Sequence, residues 1–218
     1  MKKRLVIALF LIILFTTINS QQKFIASQFD LKTIEIENNL LLKDNDIKNL
    51  LISFYNKNLV LLNNDEVKKA LMQNSLIESF NIKKKYPNTL KVKIFEKKPI
   101  AVLFDKKNKF YLSEKIDLIE FRNLPSYQTL PYVLGNKDDF KIFYNNLKKI
   151  NFPLNVVKKY TLYETDRWDI ETKDNQVIKL PSKNYLKNLE NFLNLKSKND
   201  FGKYKLFDYR ISKQLILR

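Results

Sequence analysis

The most pronounced pattern along the chain is an uninterrupted apolar run near the N-terminus. Residues 5–18 carry no charge, and three cations, Lys2, Lys3 and Arg4, precede them. Extended to residue 22, the run would form a helix about 27 Å long, close to the hydrocarbon thickness of a membrane. We therefore predict a cytoplasmic tail at 1–4 and a transmembrane anchor at 5–22. The basic flank of Lys2, Lys3 and Arg4 would hold the N-terminus inside and leave the rest of the chain outside.

A cleavable signal peptide is the alternative for this segment, because it has the same basic and apolar regions. Cleavage after Ser20 would place Ile18 where such a site needs a small residue. We favour the uncleaved anchor. Under either interpretation the remaining chain is exported.

Residues 29–102 show the order strand, helix, helix, strand, strand. Residues 33–37 alternate apolar and polar side chains with a period of two, which is typical of a strand. Two amphipathic helices follow, with N-cap candidates at 44–46 and 63–65. The predicted inward positions of the helices are Ile47, Leu50, Leu51, Phe54, Val67, Ala70 and Leu71. Two more strands are predicted at 76–84 and 89–96, separated by a turn at 85–88 that contains Pro87.

Residues 103–218 have the pattern of a mixed sheet with flanking helices, so the chain as a whole is predicted to be α+β. The clearest helices are 138–150 and 185–195. Pro131 cannot donate to a strand ladder, so 130–135 is predicted as an edge strand or an extended loop. The other strands are predicted at 100–104, 109–112, 155–164, 167–172, 176–180, 203–208 and 211–217.

Composition excludes several kinds of chemistry. The chain has no Cys and no His, so thiolate catalysis, zinc-thiolate sites and histidine bases are absent. Only two Gly occur, which excludes a glycine-rich phosphate loop. We predict no catalytic, metal or cofactor site and no small-molecule substrate. An exported hydrolase that uses Ser or carboxylates stays as a distant alternative.

The net charge of +17 does not by itself indicate nucleic-acid binding. Only five of the 40 basic residues are Arg, the side chain that sequence-specific nucleic-acid-binding proteins use to contact base edges. Charges of both signs are spread along the chain, without a basic stripe between aromatic residues. We therefore expect no nucleic-acid partner.

Five separated motifs resemble the signature of the FtsQ/DivIB family, in the family's order. The first combines a tyrosine-proline-asparagine turn with a glutamate and a proline a few residues later. The matching residues are 85–90, Ile94 and 96–101, then 130–131 with 134–135, then 168–170, 177–180 and 208–210. The resemblance implies a POTRA domain at 29–102 and a C-terminal FtsQ-type β domain at 103–218.

The resemblance also implies a function. Members of this family are non-enzymatic scaffolds of the division septum that recruit other division proteins. The implied partners are FtsB and FtsL, met in the periplasm by a single-pass protein of the inner membrane. The alternative is a POTRA-containing factor for envelope protein assembly or secretion. That class usually carries a C-terminal barrel, for which about 115 residues with two helices are too few.

The candidate partner-binding site is the last predicted strand, 211–217. A terminal strand is a natural free edge, and a partner segment can add to such an edge through main-chain hydrogen bonds. The resemblance places partner contacts just after 208–210 and at a basic residue beside the strand tryptophan. The predicted partner-binding residues are Arg167, Tyr209, Arg210, Ile211, Ser212, Lys213, Gln214, Leu215 and Ile216.

Overall fold

The computed structural model of the protein describes residues 6–13, 27–196 and 202–218. Residues 6–13 are helical. Among the helices of these three ranges, each is too short or too polar to cross a bilayer. Most of the anchor predicted at 5–22 and the whole basic flank lie outside the described residues. The chain divides into two compact units, residues 1–97 and 98–218.

The first unit has the predicted order of strand, helix, helix, strand, strand. The elements are β1 (Thr33–Glu37), α1 (Asp44–Leu50), α2 (Asn64–Leu71), β2 (Ile77–Lys85) and β3 (Thr89–Glu96). A short 3-10 helix, Ile52–Phe54, follows α1. The sheet has the strand order β1-β3-β2, with β1 parallel and β2 antiparallel to β3.

The core of this unit confirms most of the predicted helix faces. Leu51 and Leu71 are fully buried, whereas Leu50 is only half-buried. Leu50 is the last residue of α1, and Leu51 is its C-cap, directly before the 3-10 helix. Asn63 caps α2 as predicted, since its side-chain oxygen accepts the Asp65 N–H at 2.9 Å. The N-cap of α1 is instead Lys43, without a side-chain bond.

Glu96 closes the first unit at the end of β3. Its carboxylate accepts backbone N–H groups from Leu40, Leu41 and Leu42, at 2.8–3.2 Å. It therefore ties the loop between β1 and α1 to the end of the sheet.

The second unit is built on a nine-stranded mixed sheet. The first four of its strands in the chain are β4 (Pro99–Asp105), β5 (Asn108–Ser113), β6 (Leu118–Glu120) and β7 (Tyr132–Leu134). The others are β8 (Val157–Leu162), β9 (Trp168–Thr172), β10 (Val177–Lys179), β11 (Leu206–Asp208) and β12 (Ile216–Leu217). The order of the strands across the sheet is β12-β11-β10-β9-β8-β7-β4-β5-β6.

Two helices cover one face of this sheet, α3 (Lys137–Lys149) and α4 (Tyr185–Lys196). The apolar stripe of α3 supplies Phe140, Phe143 and Leu147 to the core, and Phe143 stacks on the buried Trp168 at 4.6 Å. Short 3-10 helices occur at Pro125–Tyr127 and Leu154–Val156. Side chains alternate along a strand, so the residues directly before and after a core residue point to the other face of the sheet, away from both helices.

Two predictions need correction here. β7 is not an edge, since it pairs in parallel with β4 on one side and β8 on the other. Pro131 is tolerated because it precedes the strand and contributes only its carbonyl, which accepts the Val102 N–H at 2.9 Å. Residues 98–102, which we assigned to the first domain, lie in the second unit, because β4 belongs to the large sheet.

Candidate partner-binding site

The nine-stranded sheet ends in an open edge at β12. β12 pairs antiparallel with β11 and has no strand on its other side among the described residues. Leu206 and Arg218 exchange hydrogen bonds in both directions, at 3.0 and 3.2 Å. In an antiparallel ladder such pairs alternate, so the backbone N–H and C=O of Leu217 point away from β11, towards the open edge. These two groups are therefore positioned to form hydrogen bonds with a partner strand.

The strand predicted at 211–217 is much shorter in the structure. Only Ile216 and Leu217 are in β12, and residues 209–215 form the reversal between the two antiparallel strands. Within it, the Gln214 N–H donates to the Ile211 carbonyl at 3.2 Å, and Lys213 has a left-handed backbone with φ 62°. Sequence alternation could not show this, because the pattern of apolar residues does not reveal where the chain must turn back.

The start of that reversal is fixed by an aspartate and an arginine. Asp208 accepts the Arg210 backbone N–H at 3.1 Å and the Arg210 Nε at 2.8 Å. A second guanidinium nitrogen of Arg210 bonds to the other carboxylate oxygen, so the pair is bidentate. Tyr209, between them, is buried, and its hydroxyl donates to Asn191 of α4 at 3.0 Å. The segment is therefore fastened to both β11 and α4.

A row of charged residues crosses the sheet face opposite the helices. Asp169 on β9 lies across from Lys179 on β10, which in turn lies across from Asp208 on β11. Both aspartates are only 6% exposed. Arg167 Nε lies 3.7 Å from Asp169 Oδ1, and its guanidinium stacks 4.2 Å from the Tyr163 ring centroid. The parallel pairing of β10 and β11 thus brings distant parts of the sequence into one charged strip.

The two aspartates of this strip differ in electrostatics. The hydrogen bonds from Arg210 hold the pKa of Asp208 below its usual range. Burial raises the pKa of Asp169, although Arg167 and Lys179 oppose that rise. The pKa of the Arg210 guanidinium is raised, chiefly by its hydrogen bond to Asp208 and with a smaller contribution from Asp169. Asp169 therefore interacts electrostatically with both Arg167 and Arg210.

A groove of about 460 Å³ lies between α4 and the 209–215 reversal. Among the described residues that line it, none is a carboxylate, and cationic and amide side chains alternate with a few apolar ones. The cationic members are Lys183, Lys187, Arg210 and Lys213, and the amide members are Asn184, Asn188, Asn191 and Gln214. An extended segment with acidic side chains fits this lining by charge and by hydrogen-bonding capacity.

The predicted partner-binding residues thus lie close together, but in different environments. Arg210, Ile211, Ser212, Lys213 and Gln214 are exposed on the reversal, and Ile216 is exposed on β12. Leu215 is half-buried, Tyr209 is buried, and Arg167 belongs to the charged strip. Sequence reasoning missed Asp169 and Lys179 of the strip and the groove residues of α4. No sequence signal could have found them, since the strand order alone brings them to this corner.

Comparisons with known proteins agree with the geometry of the first unit. The family model of the FtsQ-type POTRA domain matches residues 29–97. A relative from Rickettsia bellii (strain RML369-C), the cell division protein FtsQ, is 26% identical over 186 residues, which are 84% of this chain and 69% of that protein. The FtsQ of Rickettsia conorii (strain ATCC VR-613 / Malish 7) is 26% identical over 200 residues, 90% of this chain and 74% of that protein.

Among solved structures, the trans isomer of the major extracytoplasmic domain of the cell division protein DivIB from Geobacillus stearothermophilus matches 49% of this chain and 96% of that domain. The sequence identity is 18% and the TM-score is 0.35. The similarity to FtsQ proteins extends over most of both sequences.

Proposed function

Because the chain belongs to the FtsQ/DivIB family of bacterial cell division proteins, we propose that it is a non-enzymatic scaffold of the division machinery that captures its partners by strand addition. The observation that carries this proposal is the open edge at β12, where Leu217 directs its main-chain groups outward. Main-chain pairing would supply affinity, and the neighbouring side chains would supply specificity. No group in this mechanism needs to make or break a covalent bond.

The proposed partners are the division proteins FtsB and FtsL. The groove that contains Lys183, Lys187 and Lys213 would receive acidic side chains of a partner segment, and Arg210 is another of its lining residues. Arg210 is already paired with Asp208, so its partner contact would use the remaining guanidinium donors. Arg167, which lies in the charged strip, would also contact the partner.

The proposed location is the inner membrane at the division septum, with one spanning segment at 5–22 and the folded units in the periplasm. The support is the uncharged run that follows Lys2, Lys3 and Arg4 in the sequence. Alkaline extraction of membranes tests this topology. Release of a shortened soluble form would show a cleaved signal peptide and would contradict the anchor.

A pair of variants at one position tests strand addition. Leu217→Pro removes the outward N–H, while the inward bonds of Arg218 to β11 stay in place. Leu217→Ala keeps that N–H and removes a larger part of the half-buried side chain. We expect pull-down of the FtsB–FtsL pair by the full chain to weaken about tenfold or more for Leu217→Pro, because a buried partner carbonyl would lose its donor.

The matched alanine variant should bind within a few-fold of the unchanged chain. Equal losses in the two variants would show that the side chain, and not the backbone edge, carries binding. Retained binding in both would place the site elsewhere. Arg210→Glu should weaken binding most strongly at low salt, since exposed charge pairs are screened as ionic strength rises.

A further inference from the structure

The chain enters the first unit beside a loop that follows α1. Asp30 forms an isolated bridge with Asn58, the Leu31 N–H donates to the Lys57 carbonyl at 2.9 Å, and the Leu59 N–H donates to the Phe29 carbonyl at 2.7 Å. These bonds fix residues 57–61 next to the point at which the chain joins the folded unit.

The turn between β2 and β3 reaches the same end of the sheet. The N–H groups of Lys32 and Thr33 both donate to the Asn88 carbonyl, at 2.9 and 3.2 Å. The rings of Phe29 and Tyr86 meet edge to face, with centroids 6.2 Å apart. Segments 29–32, 57–61 and 84–88 therefore form one surface, which we call the entry end.

The entry end combines exposed apolar groups with lysines. Leu61 is 83% exposed, Val60 50% and Tyr86 55%. Lys84 holds the apolar loop in place, since its ammonium donates to the Val60 and Leu62 carbonyls at 3.2 and 2.7 Å. Three more lysines of this end are exposed, Lys32, Lys57 and Lys85.

This combination of side chains is typical of a membrane–water interface. A tyrosine ring with a polar hydroxyl and lysines with long apolar stems suit the boundary between hydrocarbon and lipid headgroups, because their apolar parts can contact the hydrocarbon while their polar ends contact water. Lysines close to an anionic lipid surface are attracted to it electrostatically. An acidic protein partner would not by itself call for the exposed Leu61 and Val60 loop beside the cations.

The distance along the chain also suits a membrane. Seven residue steps separate Gln22, at the end of the proposed anchor, from Phe29. Even a fully extended chain spans at most about 25 Å over seven steps. The entry end therefore stays within that distance of the bilayer surface wherever the anchor is inserted.

We propose that the entry end of the first unit docks on the outer surface of the membrane, on anionic phospholipid headgroups. The Leu61 loop and Tyr86 would enter the headgroup layer, and Lys32, Lys57 and Lys85 would contact lipid phosphates. Docking sets the orientation of the first unit against the bilayer. The proposal rests on the anchor of the proposed function but not on its partner site, which lies in the second unit.

A single introduced cysteine tests the docking, because the natural chain has none. The full chain with Leu61→Cys, carrying an environment-sensitive fluorophore, is reconstituted in nanodiscs of phosphatidylglycerol or of phosphatidylcholine with a headgroup-borne quencher. Leu40→Cys is the control, since Leu40 is equally exposed (87%) but lies in the loop after β1, which Glu96 binds at the end of β3. We expect strong quenching at position 61 in phosphatidylglycerol and little at position 40.

Charge variants separate lipid attraction from simple proximity. Replacing Lys32, Lys57 and Lys85 together with Gln should reduce the ratio of docked to free states about 100-fold, because each lysine near an anionic surface contributes roughly a fivefold factor. Replacing Lys43, Lys68 and Lys69 with Gln removes the same charge from elsewhere on the unit and should change quenching little. High salt should act like the first triple variant.

Equal quenching at positions 61 and 40, or equal quenching in the two lipids, would overturn the proposal. Failure of the chain to integrate into nanodiscs would overturn it too, together with the anchor. Binding of FtsB and FtsL is measured separately by pull-down, so a failed docking test leaves the scaffold proposal standing.

Discussion

The Glu96 carboxylate gives a direct test of what holds the first unit together. It ends β3 and accepts three consecutive backbone N–H groups from residues 40–42. Two of these bonds are partly buried, those from Leu41 and Leu42, and the bond from Leu40 is exposed. Glu96→Ala leaves all three N–H groups without this acceptor, and the loop between β1 and α1 loses its attachment to the sheet.

The magnitude follows from these three bonds. A hydrogen bond to a charged group contributes about 1.5–3 kcal/mol, and water replaces much of that at an exposed site. Counting the two partly buried bonds at the low end gives about 3 kcal/mol for Glu96→Ala. Glu96→Gln keeps one neutral acceptor and should cost about half as much.

Hydrogen exchange of the full chain measures this effect locally. A loss of about 3 kcal/mol in the opening free energy corresponds to roughly 150-fold faster exchange of the amides at 40–42. Fluorescence of Trp168, the one tryptophan of the chain, reports on the second unit and should stay unchanged. Glu35→Ala is the matched control, because it removes the same charge from an exposed ion pair worth at most about 1 kcal/mol.

Unchanged exchange at 40–42 in Glu96→Ala would refute this reasoning, since it would mean that water satisfies the loop as well as the carboxylate does. Equal acceleration in Glu35→Ala would point to a general effect of lost negative charge instead. An effect in Glu96→Ala that Glu96→Gln fully restores would show that geometry, and not the charge, is decisive.

Three further outcomes are expected. Leu51→Ala should lower the free energy of unfolding of the first unit by about 2–5 kcal/mol, and Leu50→Ala by clearly less, because only the former side chain is fully buried; equal losses in urea titrations would contradict the assigned helix face. The pKa of Asp208 is lower when folded than when unfolded, so its contribution to stability is complete above about pH 4 and is lost as the pH falls through the folded value. Asp208→Asn removes this contribution, so acid unfolding of the variant, followed by tryptophan fluorescence, should lack the part of the stability loss that Asp208 causes in the unchanged chain. An acid-unfolding profile identical to that of the unchanged chain would contradict this assignment. Gly135→Ala should destabilise the second unit by about 1–3 kcal/mol, because the new Cβ would lie 2.9 Å from the Cβ of Leu162, which cannot rotate away; an unchanged thermal midpoint would show that β8 shifts freely.

Local patterns were sufficient to predict much of the fold. The order of the first unit, the helix 138–150 and the strands around Trp168 follow from apolar periodicity, which depends only on neighbours along the chain. The cap at Asn63 is equally local, because its side chain bonds to the Asp65 N–H two residues later. The motifs that resemble the FtsQ/DivIB family are short sequences of the same kind.

Features that depend on strand order needed the tertiary structure. Pro131 indicated an edge, yet β7 is central, because the proline lies one residue before the strand. Apolar alternation predicted one strand at 211–217, yet the antiparallel return to β11 uses most of it as a reversal. The alternation of apolar and polar residues indicates which side chains face a core, but it does not indicate where the backbone turns.

The composition of the site was also decided by topology. The sequence by itself determined that a terminal strand and two arginines stand near the C-terminus. The parallel pairing of β10 with β11 placed Lys179 between Asp169 and Asp208, residues about 40 positions apart in sequence. The physical reason is that pairing across a sheet is set by which strands become neighbours, and only the packed core of the whole unit selects those neighbours.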